Sequence, residues 1–159
     1  MELSSNLEDY LKAIFFLEQE NRSARVKDIA ERLGVQKASV TGALQTLAQK
    51  RLIYYTPYSS VTLTPEGFKK ASEIVYKYKV LYDFFYTILQ LDEEIAKKNA
   101  CRLEHYLDEE ALKALSEFIQ YIYQCPRTGK EWLERFKSFF NEEKKDCKKC
   151  VEEIFKKVK

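Results

Sequence analysis

Cys101, Glu104 and His105 are the residues of this chain whose types and spacing could do chemistry. They fall at i, i+3 and i+4 in ACRLEHYL, which places a thiol, a carboxylate and an imidazole on one face of a helix. Converging there, the three could hold a first-row transition metal. The spacing alone describes equally well a buried cysteine beside a surface Glu–His pair. His105 is the chain's only histidine, so a site of this kind needs a further ligand from elsewhere. Asp9 is a candidate, because Leu7-Glu8-Asp9-Tyr10 combines a carboxylate with an apolar face that docks on the body of the protein.

The elements that must position these groups can be read from period and punctuation. Ser4 and Ser5 can cap a helix from about Asn6 to Glu20, with Leu7, Tyr10, Leu11, Ile14, Phe15 and Leu17 as its buried stripe. A short amphipathic helix follows, with Val26, Ile29, Ala30 and Leu33 inward, and Gly34 can stop it in the left-handed conformation. The next helix turns Val40, Leu44 and Leu47 inward and Gln36, Lys37, Ser39, Thr41 and Gln45 outward. Two β-type runs, LIYYT and VTLT, flank a turn at Pro57-Tyr58-Ser59-Ser60, and the alternation of Leu52 and Tyr54 with Val61 and Leu63 fits a two-stranded ribbon. Helix, tight turn, polar-faced helix and hairpin make a winged helix-turn-helix, whose second helix enters the major groove. Gln36, Lys37, Ser39 and Thr41 are the expected base and phosphate contacts, and Tyr58 and Ser59 the backbone contacts from the wing.

Thr64-Pro65-Glu66-Gly67 opens a new helix with a capping threonine, proline at the first position and an acidic first turn. It is expected to reach about Gln90, about 39 Å at about 1.5 Å per residue. Asp92-Glu93-Glu94 starts a helix through Tyr106, and Asp108-Glu109-Glu110 another through about Tyr123. The aromatic and aliphatic excess between Tyr76 and Tyr123 exceeds what these helices need for themselves and points to a core shared by two copies, a homodimer. The expected fold is mainly α: a winged helix over residues 1–64, a helical dimerisation and metal-binding domain over 65–123, and a helical extension over 124–159.

Composition narrows the function classes. Apolar residues make up 45% and charged residues 33%, which describes a globular rather than a disordered chain. The net charge of +2 does not itself call for nucleic acid, so any basic surface must be local. No signal peptide or apolar membrane span is visible, and four cysteines in such a chain point to a cytoplasmic protein with reduced thiols. There is no phosphate-cradling glycine loop, Ser-His-Asp arrangement or defensible carboxylate pair, so no enzyme is expected.

LEDYLKAIFFL, RVKDIAERLGVQKASVTGALQTL, LTPEGFKKA and ACRLEHYL, in that order, resemble the diphtheria-toxin-repressor family, which includes the manganese-transport regulators. The resemblance covers roughly residues 5 to 123. It implies a metal-dependent repressor that binds a palindromic DNA operator as a homodimer. The implied ligands are Asp9, Cys101, Glu104 and His105, and the implied metal iron(II) or manganese(II). The chain departs from the family pattern at Tyr78, Tyr82 and Lys97, which replace a histidine, a glutamate and a histidine of an ancillary metal site. Lys12 stands where manganese-type members carry a carboxylate. A single site, or a member that has drifted from metal sensing, is therefore expected, with no SH3-like domain after it. Two other classes remain open: a winged-helix regulator answering a non-metal ligand, and a winged-helix protein-interaction module.

The extension carries Cys125, Cys147 and Cys150. A C-x-x-C with one distant cysteine supplies three thiolates, so zinc or an iron–sulfur cluster would need a fourth ligand, and unligated thiols or a redox pair are the alternatives. KEWLERFKSFF reads as an amphipathic helix with Trp132, Phe136 and Phe139 on one side.

Overall fold

The structure, a computed structural model, describes residues 3–20, 22–56, 59–125 and 128–141. Three helices and a short hairpin form the first unit: α1 (Ser5–Gln19), α2 (Val26–Leu33), α3 (Lys37–Gln49), β1 (Ile53–Tyr54) and β2 (Thr62–Leu63). Their apolar stripes meet in one core, where Leu11, Ile14, Leu17, Ile29, Val40, Leu44 and Leu47 are all fully enclosed. Gly34 ends α2 at φ 66°, the left-handed cap its sequence position implies. Ser4 sits at the N-cap of α1, but its hydroxyl makes no capping bond, and Ser5 is already helical.

The wing departs from the sequence reading in length and phase. Each strand has two residues, in the register Ile53↔Leu63 and Tyr54↔Thr62, extended by an isolated bridge between Ala24 and Val61. Ile53 faces inward and Tyr54, expected inside, is 63% exposed. The cause lies just upstream. Arg51 adopts φ 60°, and Leu52 donates its N–H back to Leu47, so the chain leaves α3 through a left-handed turn that buries Leu52, as read, and the adjacent Ile53 together, which turns Tyr54 outward. The wing is also tied to α1, since the Leu63 N–H donates to Glu18 Oε1 at 2.8 Å. Glu18→Ala should therefore destabilise the fold by about 1.5–3 kcal/mol, the range for a hydrogen bond to a charged group. The Leu63 amide should exchange faster with solvent, and unchanged exchange would show that the pair does not hold the wing.

The second unit begins at α4 (Pro65–Asp83), where Thr64 Oγ1 accepts the Gly67 N–H as expected. The helix does not run uniformly to Gln90. Phe84–Ile88 is π-helical, with the Leu89 N–H reaching the Phe84 carbonyl, and Gln90 closes it at φ 54°. α5 (Glu93–Leu103) and α6 (Glu109–Gln124) are capped by the Asp92 and Asp108 carboxylates, which accept from Glu94 and Ala111. α7 (Lys130–Asn141) follows. A second core gathers Val80, Ile88, Leu112, Ile119 and Ile122, and α7 joins it through Leu133 and Trp132. Trp132 and Phe136 stack at 5.4 Å on that helix. Among the described residues no helix is long and apolar enough to cross a membrane.

α1 belongs to both units. It packs on α2 and α3 within the first core and also along α4, with its N-terminal half reaching the end of α5. That placement brings residues about 90 positions apart into one site.

Candidate metal centre and nucleic-acid interface

α5 ends at Leu103, so Glu104 and His105 lie in the turn beyond it rather than inside a helix reaching Tyr106. Glu104 keeps right-handed helical dihedrals (φ −56°, ψ −28°), and its N–H still donates to Ala100, so it remains beside Cys101. The Lys77 ammonium holds the turn by donating to the Leu107 carbonyl at 2.9 Å.

Asp9, Glu104 and His105 each offer one ligand atom, and these atoms lie within 4.8 Å of one another. Donors gathered on one ion at about 2.0–2.2 Å are at most about 4.4 Å apart, so small side-chain rotations close the set. His105 Nε2 is 3.4 Å from Asp9 Oδ1 and 3.6 Å from Glu104 Oε1. The other ring nitrogen, Nδ1, is 2.8 Å from Glu8 Oε2. A carboxylate at Nδ1 with Nε2 turned toward Asp9 and Glu104 is the usual arrangement behind a metal-bound histidine. Glu104 Oε2 is buried and has no hydrogen-bond partner among the described residues. Two carboxylates, one of them with an orphaned buried oxygen, and an imidazole nitrogen fit a divalent cation.

Cys101 stands at the rim. Its Sγ is 3.9 Å from Asp9 Oδ1 and does not join the three mutually converging donors. Burial pushes its thiol above the ordinary value, with Lys12 opposing. Lys12 was legible only as a departure from the family pattern, yet it is buried at the centre of the cluster, its Nζ in contact with Glu104 Oε1. Burial opposes its charge, but the Glu104 carboxylate, with Cys101 and Asp9, holds it above the ordinary lysine range. Burial also pushes the Glu104 carboxyl up, against the pull of the ammonium. In direct contact, the ammonium and the carboxylate each favour the other's charged form.

The ancillary positions do not converge as ligands. Tyr78, Tyr82 and Tyr86 stack along α4 and the π-helical segment at 6.0 and 5.3 Å, and Lys97 pairs with Glu93 at 2.9 Å and Glu94 at 3.2 Å. Among the described residues, Asp9, Glu104 and His105 are the only group of three or more potential ligands that meets. Cys125 lies at the end of α6, while Cys147 and Cys150 fall outside the described residues, as does Tyr58.

On α3, Gln36 at the N-cap, Lys37 and Ser39 are exposed, and Val40, Ala43, Leu44 and Leu47 are buried. Thr41 is half-buried and its hydroxyl donates to the Lys37 carbonyl at 3.1 Å, so it presents mainly a methyl group and an acceptor. Ser59 is exposed in the wing turn, where its hydroxyl donates to the Thr56 carbonyl at 2.8 Å. A cleft of about 540 Å³ between α2, α3 and the wing is lined by Arg25, Lys27, Lys37, Thr41, Gln45 and Ser59. Arg25 and Lys27 escaped the sequence reading. Both lie where the entry to α2 meets the recognition helix, a proximity set by the helix-turn-helix crossing rather than by sequence spacing.

Comparison with known proteins places the two units in one family. Residues 2–61 match the family model described as "Iron dependent repressor, N-terminal DNA binding domain". Residues 64–133 match "Iron dependent repressor, metal binding and dimerisation domain". An uncharacterized HTH-type transcriptional regulator of Methanocaldococcus jannaschii is 34% identical over 119 residues, covering 74% of this chain and 95% of that protein. The HTH-type transcriptional regulator MntR of Geobacillus kaustophilus is 33% identical over 122 residues, 77% of this chain and 86% of that protein. Among solved structures, the manganese regulator SloR superposes with a TM-score of 0.66 at 27% identity, covering 76% of this chain and 56% of that one. A manganese-dependent transcriptional repressor in complex with manganese gives 0.65 at 26% identity, covering 72% and 53%. The chain thus spans little more than half the length of these two solved chains. It belongs to the iron-dependent repressor family of metal-dependent transcriptional repressors.

Proposed function

We propose that this chain binds a palindromic duplex as a homodimer when a single divalent ion, iron(II) or manganese(II), is held by Asp9, Glu104 and His105 with Cys101 at the rim. The observation that carries this reading is the orientation of His105, whose Nε2 faces Asp9 and Glu104 while Nδ1 is engaged by Glu8. Asp9 belongs to α1 of the winged helix, and Glu104 and His105 to the turn that ends α5. A bound ion supplies a cross-link between these two elements.

The protein groups do the rest. Glu8 fixes the imidazole, Lys77 fixes the turn, and α1 carries any constraint on Asp9 into the core beneath α3. A constrained α1 limits how the winged helix sits on the dimer. It thereby favours the arrangement with two recognition helices about 34 Å apart, one turn of DNA. The ion shifts this equilibrium only through its preference for that arrangement, so operator binding tightens the ion by the same factor. Exposed Tyr106, Phe118 and Tyr121 on the second unit supply apolar surface for a partner copy. Gln36, Lys37 and Ser39 approach the bases and phosphates of the groove, and Arg25 and Lys27 add phosphate contacts. We place the protein in the cytoplasm.

The test is anaerobic selection from random duplexes, with chelator, iron(II), manganese(II) or zinc, using the reduced full-length chain. The expected result is a palindrome enriched with iron(II) or manganese(II) and not with chelator. Equal enrichment in chelator would remove the metal from the mechanism, and no enrichment at all would remove DNA binding.

A further inference from the structure

Lys12 is placed against the atoms that a metal would use. Its Nζ contacts Glu104 Oε1 and lies 3.4 Å from Asp9 Oδ1 and 3.5 Å from Cys101 Sγ. The first two are the same oxygens that face His105 Nε2. The Tyr78 ring covers the ammonium from the side of α4, 5.1 Å from its centroid. Only 8% of Lys12 is exposed, an unusual position for a lysine, which is nearly always solvated unless it is paired. Its surroundings are those of a cation-binding site: two carboxylates, a thiol and an aromatic face.

The geometry points to Lys12 as an internal cation that occupies the Asp9–Glu104 cage and that a divalent metal must expel in order to bind. This inference rests on the metal-site reading above and concerns what sets the loading threshold of that site. An ion coordinated by Asp9 Oδ1 and Glu104 Oε1 would lie between the two oxygens that Nζ now approaches, and two cations repel strongly at such separations. Occupation by the ion and by the ammonium is therefore mutually exclusive.

There is room for the side chain to leave. A cleft of about 580 Å³ opens beside the cage, lined by Asp9, Tyr78, Glu94 and Cys101 and also by the cations Arg32, Lys97 and Lys98. Rotated into it, the ammonium reaches solvent, since Glu94 on that side is already paired with Lys97. In the metal-free protein, meanwhile, Lys12 joins α1 to the turn after α5 and neutralises Glu104. It stabilises the state that lacks metal, and any such stabilisation is subtracted from the metal's apparent affinity.

The experiment measures the manganese(II) dissociation constant of the full-length chain at fixed pH by competition with a chromogenic chelator. Lys12→Met keeps the length of the side chain and removes the charge, and should bind manganese(II) at least tenfold more tightly than the parent. Lys12→Arg keeps the charge and should stay within a few-fold of the parent. Equal or weaker binding by Lys12→Met overturns the proposal. His105→Ala separates the two levels of inference. Binding that is lost in His105→Ala but unchanged in Lys12→Met overturns the competition alone, whereas no binding by the parent and by Lys12→Met overturns the metal site and the competition together.

A measurement on the parent protein guards against misfolding of the variant. Amine labelling read by mass spectrometry should find Lys12 protected without metal and reactive when manganese(II) saturates the site. Protection that persists at saturation shows the ammonium still in the cage and overturns the proposal.

Discussion

Replacing His105 by alanine should leave a folded protein whose affinity for its operator no longer rises with iron(II) or manganese(II). His105 supplies one of three converging ligand atoms, and the only nitrogen among them. Disturbing even the groups behind a metal-bound histidine costs about 10–100-fold in metal affinity, so loss of the ring itself should cost about 100-fold or more. Glu8→Ala is the milder comparison, because it removes only the carboxylate that orients Nδ1, and should fall within that 10–100-fold range. The fold should survive. His105 lies in a turn outside both hydrophobic cores, and the partner it abandons, Glu8, has a side chain 17% exposed and open to water. A stability loss of about 1.5–3 kcal/mol is expected from one missing hydrogen bond to a charged group. Fluorescence anisotropy of a labelled operator, titrated with and without manganese(II), reads the effect directly. A full metal response in His105→Ala would remove His105 from the site.

The contrast between what was legible in the sequence and what was not follows the range of the interactions. Gly34 as a helix stop, Thr64 as a cap and the acidic starts at Asp92 and Asp108 are local, each satisfied within three or four residues, and each is found as read. Asp9, 96 positions from His105, could be offered from its own helix face only as a candidate, and the family resemblance was needed to pair the two. Glu8 and Glu18 have no local signature. They sit on a helix rich in apolar residues, and their partners, His105 and the Leu63 amide, lie on other elements. Lys12 is the sharpest case. A lysine on an amphipathic helix is ordinarily read as solvated, and only the fold reveals two carboxylates and a thiol waiting for it. Two further differences have backbone causes. The left-handed turn at Arg51 re-phases β1, and the π-helical segment after Asp83 inserts an extra residue per turn, and neither position carries the glycine or proline that would announce it.

Gly67→Ala should be the most damaging single methyl group that can be added to this chain among the described glycines. A Cβ at Gly67 would lie 1.8 Å from the Leu52 carbonyl oxygen and 2.7 Å from its carbon, and both are backbone atoms that cannot rotate away. The same carbonyl accepts the Thr64 N–H at 3.0 Å, and Thr64 Oγ1 both donates to Arg51 and accepts from Gly67. Relief of the clash therefore separates the first turn of α4 from the chain entering the wing and disrupts that whole junction. A loss of about 3–5 kcal/mol is expected, a large share of the roughly 5–15 kcal/mol that holds a domain together. The melting temperature should fall by about 10 °C or more. Gly42→Ala is the control: nothing lies within 4 Å of its added Cβ, and alanine in the interior of α3 should stabilise by about 0.5–1 kcal/mol. Opposite shifts in the two melts would isolate the contact with Leu52 from helix propensity, and a Gly67→Ala melt matching the parent would show that the junction can open. The functional signatures of the two damaging variants also differ. His105→Ala removes only the metal response, whereas Gly67→Ala displaces the wing from α3 and should weaken operator binding equally with metal and with chelator.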